Sequence, residues 1–169
     1  ADQNGDLLDT LNEYSTQYAA LGLSADQFVN GLIAGAEAGV FSIDKVGDAV
    51  KEFNIRAKDG SKSTTSAFAT LGLKADTTML AFAKGGDTAH KTFFQVVEAL
   101  EAMKDPVQKN QTAVALFGTQ YEDLEKTVLP VLASMEDASK TTYDALGEIN
   151  EIKYEDLGSA LQGLKRTIE

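Results

Sequence analysis

The 169 residues carry 26 acidic and 15 basic side chains, a formal charge of −11, with two prolines and no cysteine. A chain of this length forms one domain able to bury most of its apolar surface, and without cysteine it has neither a disulfide framework nor a thiolate metal site. Acids outnumber bases ten to four in residues 1–60 and eleven to six in residues 106–169, against five of each between them. Duplex DNA carries one negative charge per about 1.7 Å of axis, so acidic ends of this kind disfavour nucleic-acid binding.

Apolar runs break well before the roughly 18 residues of a membrane span, and Ala1 to Thr10 lacks the layout of a signal peptide. The opening without methionine and the ending at Lys165-Arg166-Thr167-Ile168-Glu169 read as a piece of a longer protein. Alternation of apolar and polar residues is absent, so the expected fold class is all-α, a multi-helix bundle.

In chain order, the spacing of Leu7, Leu8, Leu11, Tyr14 and Tyr18 predicts a helix from Asp6 to Ala20, ended by Gly22. Ser24 with Gln27 three residues on is a capping box, opening a helix with Phe28, Leu32 and Ile33 on its buried face and Gly35 and Gly39 at its end. Ser42 is the expected cap of a third helix, with Val46, Ala49, Val50, Phe53 and Ile55 inward. Arg56 to Thr65 is polar and turn-forming, a hinge.

Beyond it, Phe68 and Leu71 close a short helix, and Ala75 to Lys84 carries Met79, Leu80 and Phe82. Gly85-Gly86 is a break, after which Asp87 caps a long helix bearing Phe93, Val96, Val97, Leu100 and Met103. Asp105-Pro106 is a helix start, since aspartate caps free amides and proline at the first position sacrifices none. That helix runs to Phe117 and stops at Gly118, and Thr119 with Glu122 opens the next. The expected core is Phe28, Leu32, Val46, Val50 and Phe53 with Phe82, Val96, Leu100 and Met103.

The hexapeptide Leu21-Gly22-Leu23-Ser24-Ala25-Asp26 returns fifty residues later as Leu71-Gly72-Leu73-Lys74-Ala75-Asp76. Around it Tyr18 answers to Phe68, Val46 to Val96 and Val50 to Leu100. The fixed offset is read as an internal duplication of helical units 21–55 and 71–105. These belong to a bundle over 1–135, followed over 136–169 by a helical extension. In that extension Leu146, Ile149, Leu157, Leu161, Leu164 and Ile168 mark a seam, either an amphipathic helix or a coiled coil.

Residues with chemistry fall short of a site. Asp2, Asn4, Asp6 and Glu13 match four positions of an EF-hand loop, but Leu7 stands where the loop requires glycine. His90 is the only histidine and has no cysteines to build a zinc site with, nor a nucleophile elbow nearby. The adjacent carboxylates Glu122-Asp123, Glu136-Asp137 and Glu155-Asp156 diverge by about 100° on a helix and cannot share a proton. Neither phosphate-loop pattern occurs. No catalytic, cofactor-binding or metal residues are expected, and the chain is not expected to be an enzyme.

Three stretches together resemble the tail tape measure proteins of long-tailed bacteriophages and prophages. They are Asp6-Leu7-Leu8-Asp9-Thr10-Leu11-Asn12-Glu13-Tyr14-Ser15, Phe53-Asn54-Ile55-Arg56-Ala57-Lys58-Asp59-Gly60-Ser61-Lys62 and, above all, Ala115-Leu116-Phe117-Gly118-Thr119-Gln120-Tyr121-Glu122-Asp123-Leu124. The resemblance spans Asp6 to Met135. It implies a structural virion protein without an enzymatic core here, one that sets tail length in the lumen of the tail tube. It implies assembly in the host cytoplasm, several copies self-associated in the tail, and exit ahead of the DNA at genome ejection. The partners it implies are the tail tube protein, tail assembly chaperones and tail tip or baseplate proteins. The long apolar segments that family members often carry are missing. The competing readings are a non-enzymatic helical adaptor of a bacterial or prophage protein and a hydrolase domain.

Overall fold

The computed structural model of the chain describes residues 13–37, 43–124 and 127–137. All regular structure among the described residues is helical. A first helix, α1, occupies 13–20. It is followed by α2 (Ala25–Glu37), α3 (Ile43–Arg56), α4 (Lys62–Thr70), α5 (Ala75–Lys84), α6 (Gly86–Ala102), α7 (Pro106–Phe117), α8 (Gln120–Leu124), α9 (Val128–Ser134) and a 3₁₀ turn at Met135–Asp137. The all-α expectation holds.

Local chemistry sets most of the boundaries. Ser24 and Gln27 form the reciprocal capping box of α2: the Ser24 N–H donates to Gln27 Oε1 at 2.9 Å and the Gln27 N–H to Ser24 Oγ at 3.1 Å. In the hinge, Asp59 accepts from the Ser61 N–H at 2.7 Å, and Ser61 Oγ accepts from the Thr64 N–H at 3.2 Å, starting α4. Asp105 Oδ1 accepts from the N–H groups of Val107 at 2.9 Å and Gln108 at 3.3 Å. With Pro106, which has no N–H, at the first position of α7, none of its first three positions leaves an amide without a partner.

The core is built around Phe53. Its ring lies 5.1 Å from Phe82, 5.2 Å from Phe93 and 4.9 Å from Phe117, so α3 meets α5, α6 and α7 at one residue. Phe68 stacks behind Phe82 at 6.2 Å, and Phe94 continues from Phe93 at 5.2 Å. Phe28, Val46, Val50, Phe53, Phe82, Val96 and Leu100 are all buried as expected. The Leu32 side chain lies outside the described residues.

Four expectations are corrected. Ile55, expected inward, is 50% exposed, because it sits two positions from the buried Phe53; Leu80, for which no face was expected, is likewise 55% exposed two positions from Phe82. Two helical steps turn a side chain by about 200°, so the larger ring takes the core. Met103 is only partly buried against the core, since it is the residue where α6 gives way to extended backbone. The α2 helix passes through Gly35. Finally, α6 starts at Gly86 after a single-residue break at Gly85 (φ 69°), with no side-chain cap, so Asp87 lies inside its first turn. Gly39, Ser42 and the seam after Tyr143 lie outside the described residues.

Candidate functional site

Four residues noted separately in the sequence meet in one joint: Gly22, Gln27, Gly86 and His90. The turn leaving α1 is a Schellman motif, in which the Leu23 N–H donates to the Tyr18 carbonyl at 3.0 Å and the Gly22 N–H to the Ala19 carbonyl at 3.0 Å. Gly22 takes φ 72° there, a left-handed conformation that costs other L-residues about 1–2 kcal/mol. Glycine is required for a second reason: a Cβ would overlap the Gly86 carbonyl oxygen and come within 3.2 Å of His90 Cβ. The start of α6 is thus seated directly on the α1–α2 turn. Leu21, Leu23 and Ala25 are buried beneath it.

His90 closes the joint. Gln27 Oε1 is taken by the Ser24 N–H, so the Gln27 side-chain nitrogen donates to His90 Nε2 at 2.9 Å. That assigns the imidazole hydrogen to Nδ1. The ring also meets the edge of Phe94 at 5.0 Å. A histidine held by an amide and an aromatic ring is a packing element. Sequence reasoning noted each residue but missed their meeting, because the contacts join positions more than sixty residues apart.

The remaining candidates disperse. Glu13 forms an ion pair with Lys51 across α1 and α3, and the neighbouring carboxylate raises the Lys51 ammonium above its ordinary value. Asp2, Asn4 and Asp6 lie outside the described residues, as do Glu155 and Asp156. Glu122 and Glu136 are exposed. Among the described residues no three histidine or acidic side chains gather as metal ligands, and no helix is long and apolar enough to cross a membrane.

The fold and this joint define a helical structural module, held by packing and caps. The comparisons make the class specific. The phage-related minor tail protein family matches residues 1–118, and the chain belongs to that family. It is 30% identical over 129 residues to the "Probable tape measure protein" of Streptomyces phage phiC31, covering 76% of this chain and 18% of that protein. It is 38% identical over 92 residues to the "Uncharacterized protein YqbO" of Bacillus subtilis strain 168, covering 53% of this chain and 6% of that protein. The chain therefore spans less than a fifth of the length of these curated relatives. No solved structure matches. The chain is a phage tail structural segment, as the resemblance in its sequence implies.

Proposed function

We propose that this segment is part of a tape measure that helps set tail length during assembly, lies in the lumen of the tail tube and leaves it at genome ejection. The observation that carries the reading is the similarity to the phiC31 protein over three quarters of the chain. An acidic helical module without cross-links suits a protein that is packed into a tube and later expelled. On this reading it works without catalysis and binds neither cofactor nor DNA. It contacts the tail tube protein, the assembly chaperones and the tail tip, and associates with further copies of itself. It folds in the host cytoplasm as a bundle over 1–135 with a helical extension over 136–169.

We also propose that the helical units 21–55 and 71–105 are related by duplication. Support comes from the second turn. There the Leu73 N–H donates to the Phe68 carbonyl at 2.9 Å and the Gly72 N–H to the Ala69 carbonyl at 2.9 Å, with φ 76° at Gly72. This repeats the bonding of the first turn at the same offset.

In-frame deletion of residues 21–70, followed by electron microscopy of virion tails, tests the ruler. A region lying as extended helix shortens the tail by about 75 Å, at about 1.5 Å per residue; a retained bundle shortens it far less, and the caps favour that smaller change. Wild-type tails and normal infectivity after deletion of 6–168 would leave the adaptor reading in its place.

A further inference from the structure

A recess of about 350 Å³ opens between the end of α6, the first turns of α7, and α9. Its walls are apolar, with Pro106 on one side and Leu129 and Pro130 on the other, and Tyr121 contributes to the lining. Two acceptors belong to it. Asn110 Oδ1 is buried and receives no hydrogen bond. Glu101, at the exposed lip, makes no ion pair among the described residues.

Some of the donors nearby are already placed. Lys109 Nζ donates to the Glu101 main-chain oxygen at 3.3 Å, satisfying a carbonyl at the end of α6. The first amides of α7 are held by Asp105. The unmatched polar groups are the Asn110 acceptor inside the recess and the Glu101 carboxylate at its lip, beside the proline and leucine walls. A buried acceptor without a partner is costly, and an incoming donor recovers that cost.

We propose that this recess receives an arginine side chain of a partner protein. The methylene stem lies along the proline and leucine walls, and the planar guanidinium presents donors to Asn110 Oδ1 and the Glu101 carboxylate together. Lysine offers a point charge with no flat face to lie against prolines. The chain's formal charge of −11 draws basic partner surfaces toward it.

The test is an NMR titration of the whole 169-residue chain with N-acetyl-arginine amide, its neutral citrulline isostere and the lysine counterpart. Saturable shifts centred on Glu101, Asn110, Tyr121 and Leu129 are expected, with citrulline weaker by about tenfold or more. Glu101→Gln, an exposed position that leaves the fold unchanged, weakens binding about threefold, and Lys109→Met tightens it by a similar factor. Equal binding of citrulline, equal binding of lysine, or unsaturable shifts spread over the acidic surface would each overturn the assignment.

Discussion

The turns at Leu21–Leu23 and Leu71–Leu73 share their sequence, their hydrogen bonds and the left-handed conformation of their glycine, yet they occupy opposite environments. The first is sealed by the start of α6, with Leu21 and Leu23 fully buried. At the second, Leu71 and Leu73 are only partly buried and a Cβ on Gly72 would meet nothing within 4 Å. The partner rings differ too. Tyr18 sets its edge against Phe28 at 4.4 Å. Thr78 stands where Phe28 stands in the first copy, and Phe68 stacks on Phe82 instead. Six residues are enough to dictate how the chain turns, and tertiary packing alone decides whether the turn becomes core.

The sharpest contrast between the halves lies fifty residues apart at Phe53 and Met103. Phe53→Ala removes a ring contacting three others and should cost about 3–5 kcal/mol. Met103→Ala, at a partly buried helix end, should cost about 1–2 kcal/mol. Urea unfolding of both variants checks the pair, and equal losses would mean that Phe53 is not the centre of the core.

At the turns themselves, Gly22→Ala combines left-handed strain with displacement of the α6 backbone, for about 2–4 kcal/mol. Gly72→Ala carries the strain alone, about 1 kcal/mol. If the two variants unfold at the same urea concentration, α6 does not rest on the first turn.

Capping gives a smaller difference. Ser24→Ala should lose about 1 kcal/mol, whereas the equivalent Lys74 makes no side-chain cap bond. Lys74→Ser should therefore raise stability by about 0.5–1 kcal/mol, seen as a higher thermal midpoint.

The weakest effect is expected at the hinge between the halves. Burial pushes the Asp59 carboxyl up, but the hydrogen bonds from the Ser61 backbone and from the Ser61 and Thr64 hydroxyls, together with the Arg56 charge, outweigh it and leave Asp59 below the usual carboxylate value. Its contribution is present above that usual value and is lost as pH falls through the lowered one. Asp59→Asn should thus be slightly less stable than the parent at neutral pH and equal to it in strong acid. A gap that widens on acidification would contradict the sign.

What the sequence made legible was whatever local rules decide. The capping box at Ser24 and Gln27, the Asp105-Pro106 start and the glycine ending α1 are all complete within six residues. The same rules failed at Gly85-Gly86, where left-handed backbone at Gly85 started α6 before Asp87 was reached. Ile55 misled because apolar character says nothing of which of two neighbours wins the inner face. The joint of Gln27 with His90 and the recess at Asn110 were illegible, since both depend on helices brought together from distant parts of the chain.

The ring cluster at Phe53 has a mechanical corollary. Because one side chain on α3 is clasped by rings from α5, α6 and α7, neither half keeps its interior once the other is drawn away. Stretched by its ends, such a molecule holds its length until the clasp opens and then gives way as a whole. Along a filament under load, a unit of this kind behaves as a latch with a threshold rather than as a spring.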